Sequence, residues 1–165
     1  MRHESSAAEL VLLVSALAVP LIVYWLAVSE VGPVWPRRRS ACWAAGLVLL
    51  GVGLSIPAHD FTAHVLSHLL VGMGAPLLLA LGYPVQLALR ALPVARARTL
   101  VRVLGSRPMR TLGNPATAAV LNVGGLWLLY GTPVYALSQF YGGLHLLVHA
   151  HLLISGYLVT TTLVG

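Results

Sequence analysis

Apolar residues fill five long stretches of this chain, and polar or basic residues gather in the segments between them. A bilayer-spanning helix needs about 20 mostly apolar residues, so the pattern predicts spans at about 7–28, 41–56, 61–81, 115–130 and 142–164. Pro20 lies inside the first and predicts a kink there, because proline removes one helical hydrogen bond. The second is short. Its Gly46, Gly51 and Gly53 would let a neighbour approach closely, as would Gly72, Gly74, Gly124, Gly125, Gly142 and Gly143, since association in lipid relies on small interfacial residues. The segment 83–113 is the longest one outside the spans, and Pro84, Pro93 and Pro108 divide it. Its leucines and valines interleave with arginines, which predicts short helices lying on an anionic leaflet. The leading MRHESSAAE is not a positive signal-peptide region, and the apolar run after it is too long. It is therefore read as part of a span, with cleavage near Ala27 to Ser29 as the alternative.

Composition agrees with this pattern. Of 165 residues, 58% are hydrophobic and 8% charged, and mean hydropathy is +0.87, a balance no water-exposed globular surface carries. The expected fold is an all-α, multi-pass transmembrane helix bundle of about five spans, forming a single membrane domain over 1–165. The net charge of +6 comes from arginine without any lysine. Nucleic acid is not the implied partner, because the arginines sit between spans, where they set orientation. Arg37, Arg38 and Arg39 follow the first span, and Arg90, Arg96, Arg98, Arg102, Arg107 and Arg110 lie between the third and fourth. Both segments are expected in the cytoplasm with the C-terminus, and the N-terminus outside. Trp127, Tyr130, Tyr135 and Tyr141 are expected at the outer interface, where amphipathic rings are favoured. Cys42 is the lone cysteine, which excludes an internal disulfide, a CxxC pair and a thiolate cluster within one chain.

The candidate chemistry is in histidine. HVLSH supplies His64 and His68, and HLLVH supplies His145 and His149. Residues four apart share a helix face, and intramembrane titratable groups are functional candidates by default. At 1.5 Å rise per residue, His64 and His145 lie roughly 5 Å inside the outer surface, and His68 and His149 roughly 10 Å. If the third and fifth spans are neighbours, the pairs form a four-imidazole box. Asp60 and His59 stand at its mouth as lower-ranked candidates, and Asp60 serves equally well as a helix cap. His151, also a lower-ranked metal candidate, is about 200° around the helix from His149 and should meet another helix or headgroup depth on a different side. Neutral imidazole suits copper, zinc, iron and nickel, with copper leading on affinity and zinc following. Met73 could add a soft thioether deeper in the membrane. Haem held by one histidine from each span, or plain interhelical hydrogen bonds, are the alternatives. Neither GxSxG nor HExxH occurs, and Asp60 is the lone outer-side carboxylate between spans, so a non-enzymatic role is expected.

From His64 to Pro93 the stretch HVLSHLLVGMGAPLLLALGYPVQLALRALP resembles the signature region of the CtaG family, cytochrome c oxidase (caa-type) assembly factors. Asn114-Pro115, Trp127, Thr132-Pro133, Tyr135, His145 and His149 follow in that family's order, so the resemblance runs from about Ala58 to the C-terminus. It implies a multi-pass protein of the bacterial plasma membrane that delivers copper during oxidase maturation, with His64, His68, His145 and His149 as suspected ligands. Oxidase subunits, membrane lipid and a second copy of the chain are the implied partners. A structural or haem-bearing subunit of a respiratory complex is the alternative. The chain departs from the family at Val65, where methionine is usual, and at Gly131, where a histidine is usual. Family members are also usually longer.

Overall fold

Proline or arginine opens half of the α-helices among the described residues, while leucine, valine and alanine fill them. The computed structural model describes residues 2–56 and 61–164, and among these every regular element is helical. Helix α1 (Arg2–Val31) continues unbroken through Pro20. A 3-10 turn (Gly32–Val34) leads to α2 (Arg37–Ser55). The third rod is composite: α3 (Phe61–Leu69), a π-helical turn (Leu70–Gly74) and α4 (Ala75–Leu81). The basic segment forms α5 (Pro84–Ala91), α6 (Val94–Leu104) and α7 (Arg107–Leu112). Helix α8 (Pro115–Gly131) starts at Asn114, whose side chain accepts a hydrogen bond from the Ala116 N–H and satisfies one free donor of the first turn. Helices α9 (Val134–Phe140) and α10 (Gly142–Val164) complete the order.

Three helical stretches, Leu13–Val34, Thr62–Ala91 and Gly142–Val164, are long and apolar enough to cross a membrane. The chain is thus a helical membrane protein. The two shorter expected spans correspond to α2, which opens on three arginines, and to α8, which has 17 residues.

The helices form a row: α1 beside α2, α2 against the composite rod, that rod against α10, and α10 against α8. Glycine sets the spacing. A Cβ on Gly46 would fall 2.9 Å from the Leu79 backbone nitrogen, and one on Gly156 would collide with the Gly72 carbonyl. Gly124, Gly142 and Gly143, expected to serve the same purpose, have no neighbour within 4 Å of such a Cβ.

Pro76 accounts for the π turn. It lacks an N–H for the Gly72 carbonyl, and its ring would clash there in a regular helix, so the backbone widens just before it. The Ala75 N–H reaches back to the Leu70 carbonyl, the five-residue span of a π bond. The Gly72 carbonyl left over faces Gly156 of α10.

Two expectations need correction. The segment 131–141, read as a plain outer loop, contains α9, because Pro133 starts a helix that runs to Phe140. The basic segment 83–113 is not surface-exposed throughout. Its first piece, α5, packs on α1 and buries Leu87 to 1% exposure among Tyr24, Trp35, Val28 and Val31. Helices α6 and α7 bury no residue, consistent with the surface position expected of them.

Candidate functional site

His64 and His68 lie one turn apart on α3, and His145 and His149 one turn apart on α10, so each pair shares a face. The two helices are neighbours through the composite rod, which brings all four rings together. Ring centroids are 4.2 Å apart within the α3 pair and 4.3 Å within the α10 pair. Across the helices, His64 faces His145 at 6.5 Å and His68 faces His149 at 4.9 Å. First member meets first and second meets second, so the helices run parallel in register, as depth counting predicts.

His64, His68 and His149 are buried, and His145 is half-buried. Burial of polar nitrogen requires partners. His149 has one: its Nδ1–H donates to the His145 carbonyl at 3.0 Å. Its Nε2 lies 3.4 Å from Ser67 Oγ, whose hydroxyl donates to the Gly53 carbonyl at 2.7 Å. With the Ser67 proton committed to Gly53, the Nε2 lone pair, which lies against Ser67 Oγ, is left without a strong donor. Holding one imidazole nitrogen on a carbonyl while the other stays available is the arrangement that orients a metal-ligating histidine. By contrast His64 Nε2 and both ring nitrogens of His68 have no hydrogen-bond partner among the described residues. Leaving such a group unsatisfied costs about 1–3 kcal/mol.

The rings form a ladder, and among the described residues no set of three or more His, Cys, Asp or Glu side chains surrounds a single metal position. Adjacent pairs across the rungs are what the cluster offers to an ion.

Two tyrosines belong to the cluster and were placed by sequence only at the membrane interface. Tyr135 on α9 meets His64 edge-on at 4.7 Å, and Tyr130 on α8 lies 6.3 Å from His68 and 6.5 Å from His64. Their spacing from the histidines along the chain gave no signal, since α9 is what carries Tyr135 inward. Trp127 and Tyr141 remain exposed, as expected of interfacial rings.

The remaining candidates divide. His151 stands apart from the cluster and donates Nε2–H to the Leu121 carbonyl of α8 at 3.1 Å, the contact with another helix expected of it. Gly125 makes room for that ring. Asp60 and His59 lie outside the described residues. Met73 is 62% exposed and shares with His68, Asn122 and Tyr130 a cavity of about 260 Å³ on the α8 side.

Residues 21–165 match the family described as cytochrome c oxidase caa3 assembly factor (Caa3_CtaG). The chain belongs to this family. Within it, the Caa3_CtaG chain is 32% identical over 161 residues to uncharacterized proteins of Mycobacterium bovis and Mycobacterium tuberculosis, covering 90% of this chain and 24% of theirs. An uncharacterized protein of Mycobacterium leprae is 31% identical over 170 residues, covering 93% of this chain and 26% of its own length. The chain thus spans about a quarter of the curated relatives it matches. No solved structure matches it.

Proposed function

We propose that this chain carries copper as cargo for cytochrome c oxidase assembly, holding the ion between imidazoles of His64, His68, His145 and His149 and releasing it to an oxidase subunit. The observation that carries the reading is the orphaned buried nitrogen: three ring nitrogens of His64 and His68 without a partner, facing His149 from a second helix. A protein core retains such groups at a cost when a ligand satisfies them. Pairwise imidazole donors suit copper first and zinc second, and a site short of a closed four-ligand cage suits exchange. Membership in an oxidase assembly family supports an oxidase subunit as the recipient.

The same reading makes the chain non-catalytic, a single membrane domain with five spans, N-terminus outside and C-terminus cytoplasmic, in a bacterial plasma membrane. The cluster then faces the outer side, where copper is received, and lipid, oxidase subunits and a second copy of the chain are its partners.

The test is metal analysis of protein purified without added metal, followed by copper titration of wild type and of His64→Ala/His145→Ala. The double variant should bind at least about tenfold more weakly, the scale of losing groups that orient or ligate a metal. Equal binding by both proteins sinks the copper reading. A Soret band in the purified protein would replace it with the haem-bearing alternative.

A further inference from the structure

At the opposite end of the bundle from the histidines, two guanidinium groups converge on one indole. The Arg39 Cζ lies 4.8 Å from the Trp35 ring centroid and 4.4 Å from that of Tyr83, and the Arg90 Cζ lies 5.8 Å from Trp35. Arg39 also donates to Gln86 Oε1 at 3.0 Å. The platform beneath them is rigid. Trp35 Nε1–H donates to Tyr24 Oη at 3.0 Å, Tyr24 Oη–H donates to the Gly82 carbonyl at 2.8 Å, and Tyr24 stacks on Trp43 at 4.8 Å.

Charge is unbalanced here. Arg37, Arg38 and Arg39 form the first turn of α2, which has no acidic residue and no side-chain cap. Cations at the positive end of a helix dipole repel it, and the first N–H groups there lack intrahelical acceptors. Among the described residues no carboxylate pairs with Arg39 or Arg90. Fixed planar donors with no counter-charge among the described residues together suit a tetrahedral oxyanion.

A second feature indicates what that anion is attached to. Tyr83 and Gln86, both in contact with Arg39, also line a cavity of about 200 Å³ that continues past Ala80 and Val85 to Tyr157 of α10. Its walls are mostly apolar. A charged head at Arg39 and a hydrocarbon tail in this groove fit one molecule.

We propose that Arg39 and Arg90, mounted on Trp35 and Tyr83, bind a phosphate group, and that an anionic phospholipid supplies it, its headgroup on the guanidiniums and an acyl chain in the Tyr83–Tyr157 groove. The site is independent of the metal reading. It would join α2 and α5 through one ligand, since Arg39 lies on α2 and Arg90 on α5.

The full chain, delipidated in detergent, is titrated with phosphatidylglycerol, phosphatidylcholine and inorganic phosphate, with retention read by native mass spectrometry. Wild type should retain phosphatidylglycerol at least about tenfold better than phosphatidylcholine, and Arg39→Gln/Arg90→Gln should lose that preference. Arg96→Gln/Arg98→Gln removes the same charge from α6 and should keep it. Saturable binding of inorganic phosphate, lost in Arg39→Gln/Arg90→Gln and uncompetitive with lipid, would keep the phosphate site but overturn the lipid as its source. Equal retention of both lipids by wild type, or equal losses in the two double variants, overturns the proposal. Should Arg39→Gln/Arg90→Gln misfold, Arg39→Lys/Arg90→Lys preserves charge while removing the planar donors, and unchanged lipid preference in that variant also overturns it.

Discussion

His68 and His149 meet edge to face with ring centroids 4.9 Å apart, yet they differ in what their nitrogens touch. His149 is anchored through Nδ1 to its own helix, whereas neither nitrogen of His68 has a partner. One ring is held by a hydrogen bond and the other is not. The asymmetry makes His68 the residue at which stability and binding should part company.

His68→Leu is expected to raise the thermal stability of the metal-free protein by about 1–2 kcal/mol, because it removes an unsatisfied polar group of similar volume from the core. The same variant should lose at least about tenfold in copper affinity. Unfolding followed by circular dichroism in detergent, with a copper titration on the same preparation, checks both halves. A destabilised variant with intact binding would show that His68 is a structural residue satisfied within the fold.

His151 should behave in the opposite manner. Its hydrogen bond to the Leu121 carbonyl joins α10 to α8, and interhelical polar contacts of this kind are worth about 1 kcal/mol. His151→Leu should therefore reduce stability by that order while copper affinity stays within about twofold of wild type. Loss of binding in this variant would move the site to the α8 side of α10.

Gly156→Ala tests the register between α10 and the composite rod. The added methyl meets the Gly72 carbonyl in the π turn, a backbone atom that has no rotamer to yield. Overfilling a close contact costs about 1–3 kcal/mol, and separating the helices here also separates His149 from His68. Both melting temperature and copper affinity should fall, whereas Gly124→Ala, with open space around it, should change neither.

Much of the fold was legible because bilayer physics repeats itself along the chain. Helix α10, Gly142–Val164, has the limits read from hydropathy, whereas the apolar stretch that begins at Thr62 runs on to Ala91, past the Leu81 expected. The four-histidine grouping was legible from spacing and depth, given that α10 packs against the composite rod that α3 begins. Three features were not. The π turn depends on Pro76 acting on a carbonyl four residues earlier, a backbone effect that hydropathy does not register. Tyr135 reaches His64 through α9, a helix too short to leave a periodic pattern. The burial of Leu87 arises from the docking of α5 on α1, while arginines nearby mark that segment as surface.

The platform under Arg39 gives a stability prediction separate from any ligand. Tyr24→Phe removes the hydroxyl that accepts from Trp35 Nε1–H and donates to the Gly82 carbonyl. The Trp35 N–H is then left buried without an acceptor, which costs about 1–3 kcal/mol. Chemical or thermal unfolding of the purified variant should show that loss while copper affinity is unchanged, since Tyr24 has no contact with the histidine cluster. An unchanged midpoint would mean that water replaces the hydroxyl at this end of the bundle.

The proposed five-span arrangement, with α6 and α7 on the cytoplasmic side, makes a prediction about sidedness. Phe140 on α9 is 82% exposed, and Met109 on α7 is 39% exposed. With Cys42 replaced by alanine, a membrane-impermeant maleimide should label Phe140→Cys in intact cells and label Met109→Cys only after lysis. The reason is electrostatic: the arginines of α6 and α7 are retained on the cytoplasmic side, and the 131–141 segment carries no basic residue to hold it there. Labelling of both positions from the outside would mean that α8 does not cross the bilayer. The histidine cluster would then have no fixed side from which to receive copper.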